Sequence, residues 1–395
     1  MRHLVLLVLL TLSALAHAQD PIRIGAPLPL SGPLAPEAAK QQRGYDLWAE
    51  VVNQAGGINV GGNWRKVKIH YLDYHSDAEQ ARTGTERLIT QEHVDFLFAP
   101  YGSAAARDAS AISEKYQIPM IAVTASAVQT FSRGHKYIFG TFTPNETLTE
   151  SLGDLIKQQL PQVDKLAIIA RDDLFPLSIA REMAVSAQKR GIRKIFYDSY
   201  AIGTSDHRAM LRRLQASEAQ WIFAAGYTAD LIQLRQQMAE LGIAAPVITM
   251  IAAPAYQQFI DETGQLAENI TSAAWWHPAA QYSGKDVFGS SANFVRLFRQ
   301  RYSSTPDYVE ASAALAGALL QMAIERAQST DRQKVRDALA ALDEPTFWGP
   351  VRFGSNGQLD SLTPPVFQIQ NGKAVILFPL DIAQGVLQQG VRTQP

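Results

Sequence analysis

Ile22-Arg23-Ile24-Gly25-Ala26-Pro27-Leu28, followed by Pro29-Leu30-Ser31-Gly32-Pro33, is the stretch on which the fold turns. It reads as a β-strand running into a tight turn. A dinucleotide-binding loop starting at Gly25 would need glycine at positions 27 and 30. Pro27 and Leu30 stand there, so the loop cannot cradle a pyrophosphate in the usual way. Helical spacing follows at Tyr45, Trp48, Val51, Val52 and Ala55, closed by Gly56-Gly57. Lys66 to Asp73 reads as the next strand, and Ser76-Asp77-Ala78-Glu79 as a capping box opening a helix. Val94 to Ala99 is a buried strand, a helix carries Ala105, Ala109, Ile112 and Tyr116, and Ile118 to Val123 is a further strand. Strands alternating with helices predict an α/β fold with a parallel sheet covered on both faces.

The pattern then restarts. Strands are expected at Lys165 to Ala170, Lys194 to Asp198, Gln220 to Ala225 and Pro246 to Ile251, with helices between them. Two Rossmann-like lobes with parallel central sheets follow from this. The remaining pieces are a very apolar helix at Ala311 to Ile324, another around Val335 and Leu339, and strands near Val351, Val366 and Val375. They are too few for a third core. They complete the two lobes, so the chain crosses more than once and the crossings form a hinge. The expected division is 19–142 with 277–347 for the first lobe, 143–276 with 348–380 for the second, and 381–395 as a tail.

The N-terminus predicts export. Arg2 and His3 precede the apolar run Leu4 to Leu15, and Ala16-His17-Ala18 supplies a signal-peptidase pattern, so residues 1–18 read as a cleaved signal. The run is too short to span a bilayer. The chain has no Cys, which excludes an N-terminal lipid anchor and leaves core burial to stabilise an exported protein. A net charge of −1 without a basic block speaks against nucleic acid as a partner. The eight His are scattered without metal-ligand spacing. There is no GxSxG elbow and no Walker A loop, and the neighbouring acids Asp172-Asp173 have no matched second pair. No enzymatic activity, cofactor or metal is expected.

Pro29 to Pro33, Gly56-Gly57-Ile58-Asn59 and the strand end at Asp73 together resemble type I periplasmic binding proteins. Within that superfamily the chain is similar to the leucine/isoleucine/valine-binding proteins of ABC importers, over roughly Ile22 to Pro379. The resemblance implies a soluble periplasmic monomer that captures a small carboxylate ligand by lobe closure and delivers it to a separate membrane permease. It places ligand contacts at Ser103 and at Thr124-Ala125-Ser126 in the first lobe, and at Phe175 and Tyr227 in the second. Ser103 also reads as an N-cap after Gly102, where free N–H groups of the first helical turn favour an anion.

Two departures bear on the ligand. Amino-acid binders of the family carry an acid for the ligand ammonium at the end of the strand that here reads Thr249-Met250-Ile251-Ala252-Ala253-Pro254. No acid stands there. Glu37, Asp172, Asp173 and Asp307 are the candidates to replace it, each also readable as a surface charge. The adjacent Trp275-Trp276 point to opposite faces of an extended segment, and Trp276 is taken as the one facing the cleft, hinge packing being the alternative. The expected ligand therefore widens to amino-acid derivatives and to aromatic or aliphatic acids. A sensor presenting the same ligand to a membrane receptor would use the same closing motion.

Overall fold

The computed structural model describes residues 20–390, so the expected signal at 1–18 lies outside the described residues. Two sheets organise the chain. The first has five parallel strands, in the order Val67–Asp73, Ile22–Leu28, Phe96–Phe98, Met120–Ala122 and Ile138–Gly140. The second has seven, in the order Lys373–Phe378, Val366–Gln370, Ile270–Ala273, Val247–Ile251, Trp221–Ala225, Lys165–Arg171 and Arg193–Tyr200. Its last five strands are parallel, but Val366–Gln370 and Lys373–Phe378 pair antiparallel. The central strands are thus parallel as expected, and the antiparallel edge arises because Asn371-Gly372 turns the chain back too quickly for a crossover.

The first strand and its turn form as the residues dictate. Ile22 pairs with Val67 and Leu28 with Asp73. The Asp73 carboxylate then accepts from the Ser31 hydroxyl at 2.7 Å and from the Ser31 N–H at 3.3 Å, which pins the turn to the neighbouring strand end. The capping box at Ser76 is corrected. Asp77 is the N-cap of helix Ala78–Thr90, accepting from the Gln80 N–H at 2.8 Å. Ser76 instead donates to the Ser31 carbonyl at 2.8 Å. Its neighbour's carboxylate sits closer to the free N–H groups, and its own hydroxyl is used on the turn.

The chain passes between the sheets three times: after Gly140, after Ala273, and between Leu359 and Val366. Gln358 still bridges to Gly140 at the edge of the first sheet, so the last passage comes after it. Helix Tyr308–Ala327 packs along helix Ala35–Gln54, and a Cβ on Gly44 would run into the Glu310 carbonyl and the Ala313 side chain. Glycine is what lets those two backbones approach. The described part of the tail is held to the second sheet's side, where Gly390 N–H donates to the Pro246 carbonyl and Leu387 N–H to Gln159 Oε1. Among the described residues no helix is long and apolar enough to cross a membrane.

Candidate functional site

The carboxyl ends of the parallel strands of both sheets face one another, where open α/β sheets place ligands. Two loops of the first sheet are tied together there. Gly102, at φ +84°, precedes helix Ser103–Lys115 and donates its N–H to Thr124 Oγ1 at 2.9 Å. The Thr124 hydroxyl proton is thereby left to point elsewhere. Ser103 Oγ accepts from the N–H groups of Ser126 and Ala127, at 3.2 and 3.3 Å. Thr130 in turn donates to the Ser103 carbonyl at 3.0 Å. Ser126 offers its carbonyl to Gln358 Nε2 at 3.2 Å, while its buried hydroxyl has no partner among the described residues.

Aromatic rings from both lobes close over these hydroxyls. Tyr227 stands before helix Thr228–Glu240, with its N–H donating to Asp230 Oδ2 at 3.2 Å. Asp230 also pairs with Arg171 at 2.8 Å, and the Arg171 guanidinium lies 4.9 Å from the Tyr227 ring. Phe175 opens the helix capped by Asp173, its ring 6.1 Å from Tyr227. Trp275 stacks on Phe142 at 4.2 Å and donates to the Thr143 carbonyl at 2.9 Å. Tyr101, Thr124, Ser126, Phe142, Phe175, Tyr227, Ala252, Trp275, Tyr308 and Val309 line a small cavity of about 20 Å³, room for about one water. Among the described residues no charged side chain lines it. Ala252 has φ +95° and ψ −63°, a strained geometry for a residue with a side chain.

Other contacts join the lobes beside the cavity. Glu37 Oε1 accepts from Thr228 Oγ1 at 3.0 Å. Burial pushes the Glu37 carboxyl above its usual range, against the opposing effects of the Thr228 bond and the Lys40 charge. Tyr256 and Tyr308 share a hydroxyl–hydroxyl bond of 2.8 Å. The Lys40 ammonium lies 3.1 Å from the Tyr256 ring centre and 2.9 Å from Asp307.

Of the residues singled out from sequence, Thr124, Ser126, Phe175 and Tyr227 line the cavity. Ser103 does not, nor is it the N-cap, a place Gly102 takes. It sits behind the loop and fixes the N–H groups of Ser126 and Ala127. Ala125 points into the first lobe's core with Ala122 and Phe131. Glu37 spans the lobes without reaching the cavity wall. Trp276 is not on the cavity wall: it packs between Trp348 at 6.2 Å and Phe294 at 5.8 Å, and its neighbour Trp275 lines the cavity instead. Asp172 is exposed, Asp173 caps a helix, and Asp307 caps one while pairing with Lys40. Tyr101, Phe142, Trp275, Tyr308, Val309 and Ala252 were not foreseen. Tyr101 and Trp275 each adjoin a residue that was singled out, so strand-end position pointed at their neighbourhood; nothing local marks Phe142 or Tyr308.

Residues 21–373 match the family model described as periplasmic binding protein. Over 391 residues the chain is 27% identical to Leu/Ile/Val-binding protein homolog 8 of Brucella suis, covering 95% of each. Two solved structures are similar in fold. The branched-chain amino acid transporter substrate binding protein LivJ of Streptococcus pneumoniae, in complex with isoleucine, has a TM-score of 0.79 at 21% identity. The match covers 91% of this chain and 100% of that one. An ABC transporter solute binding protein of R. palustris, in complex with benzoate, has a TM-score of 0.76 at 18% identity. There the match covers 94% and 97%. The resemblance drawn from sequence and the two-lobed α/β fold are borne out.

Proposed function

Because the chain belongs to the periplasmic binding protein family, we propose that it is the solute-binding component of an ABC importer, capturing a small carboxylate ligand by lobe closure. The carrying observation is the Ser126 hydroxyl, buried and without a partner among the described residues, at the wall of a largely aromatic cavity. A carboxylate there accepts from Ser126 and from the Thr124 hydroxyl, beside the free N–H groups of helix Ser103–Lys115. Phe175, Tyr227, Trp275 and Phe142 cover its apolar body. Each charge-assisted bond contributes about 1.5–3 kcal/mol, and micromolar binding needs about 8 kcal/mol, so two such bonds supply about 3–6 kcal/mol and burial of the ligand's apolar body supplies the remainder. The lobes open to admit the ligand, since the closed cavity of about 20 Å³ is far below ligand size.

A ligand without an ammonium suits this lining best. A buried, unpaired ammonium costs several kcal/mol, and the lining holds no acid. The protein acts as a periplasmic monomer after cleavage behind Ala18 and hands its ligand to a separate permease. The transporter names of the similar structures favour this over a sensory role. In calorimetric titrations of the mature chain, benzoate binds more tightly than leucine. Leucine binding tighter than benzoate would overturn the ligand class.

A further inference from the structure

A groove of about 600 Å³ runs between the lobes on the far side of the Tyr256–Tyr308 pair, and Tyr308 is a wall of both groove and cavity. The two tyrosines stack at 5.5 Å and bond through their hydroxyls. Other cavity walls are anchored elsewhere: Trp275 on the Thr143 carbonyl and the Phe142 ring, Thr124 on the Gly102 N–H. Tyr308, held by Tyr256, is a cavity wall with open volume behind it.

The groove carries more cations than anions, Lys40, Arg43, Arg299 and Lys373 against Asp307 and Glu310. Trp276 and Arg43 line it, and the Trp276 Nε1 and Arg43 Nε donors are buried without an acceptor among the described residues. Buried donors left in this state call for an acceptor. Lys40 and Arg43 have carboxylate partners in Asp307 and Glu310, but Arg299 and Lys373, also on the groove, have none among the described residues. Donors and net positive charge together select an anion.

We propose that cavity and groove are two chambers of one ligand site, parted by Tyr256 and Tyr308, and that the groove receives a second acidic group on the ligand. The preferred class is then an elongated diacid with an apolar or aromatic middle. This rests on carboxylate capture at Thr124 and Ser126. Calorimetry with terephthalate and benzoate on the mature chain tests it. Terephthalate binds about tenfold tighter than benzoate. Trp276→Phe and Lys373→Gln each weaken terephthalate about threefold or more while benzoate moves less than about twofold. Lys373 is exposed, so its variant keeps the fold. Terephthalate no tighter than benzoate, or both variants without effect on terephthalate, overturns the second chamber and leaves capture in the cavity standing. If neither acid binds, the capture reading falls and this extension with it.

Discussion

Ser126→Ala should change binding and stability in opposite directions. The hydroxyl is 1% exposed and has no partner among the described residues. Leaving it there costs the folded, ligand-free protein about 1–3 kcal/mol, lessened where one water reaches it. Alanine removes that cost without opening a large hole, so ligand-free stability holds or rises. An unfolding entropy of about 2.1 cal/mol/K per residue over a chain of this size turns 1 kcal/mol into about 1–2 °C, so Tm rises by up to a few degrees. Binding moves the other way. The lost bond to a carboxylate is charge-assisted, worth about 1.5–3 kcal/mol, so Kd rises about 10- to 150-fold. Scanning calorimetry reads the first and titration calorimetry with benzoate the second. A falling Tm with unchanged Kd would mean that the hydroxyl serves the fold, and the carboxylate site would have to be moved.

Acidification from neutral pH towards the ordinary carboxylate range should tighten binding. Closure buries Glu37 and raises its pKa above that of the solvated open form. The closed form therefore holds the proton more strongly, and the gain is lost as pH rises through the closed-form value. Glu37→Gln flattens this dependence in titrations across that range, whereas an unchanged slope would locate it in another group. Gly44→Ala should destabilise by about 1–3 kcal/mol or more, because the helices cannot part locally to admit the methyl group. Denaturant unfolding at the wild-type midpoint would refute the packing argument.

The strands of the parallel arrays were legible because each is a short apolar run bounded by turn residues, and local composition decides that. Ile138–Gly140 was missed because its apolar run, Tyr137 to Phe139, is shorter than the runs Val94 to Ala99 and Ile118 to Val123 that hold the other three-residue strands. Helix Asn145–Gln159 was missed because its buried face is broken by Thr149, Ser151 and Gly153. Those small and polar positions make sense only once Ser186 and Arg190 are seen against them: Ser186 donates to the Thr149 carbonyl at 2.8 Å, and Arg190 bonds Glu150 and Asp154.

Local sequence was enough for the family and the α/β class, and for the loops of the candidate site, since strand ends are local and these loops sit on strand ends. Thr124, Ser126, Phe175 and Tyr227, singled out there, line the cavity. Only tertiary structure decided the rest. Which of two adjacent tryptophans faces the cleft depends on what stands opposite: Phe142 takes Trp275, and Trp348 takes Trp276. Whether a serine hydroxyl is free for a ligand depends on the other loop. Ser103 Oγ accepts from the N–H groups of Ser126 and Ala127 behind the loop and off the cavity wall, while the Ser126 hydroxyl on the wall makes no bond among the described residues. Residue type is a local property, but hydrogen-bond capacity left over after folding is not.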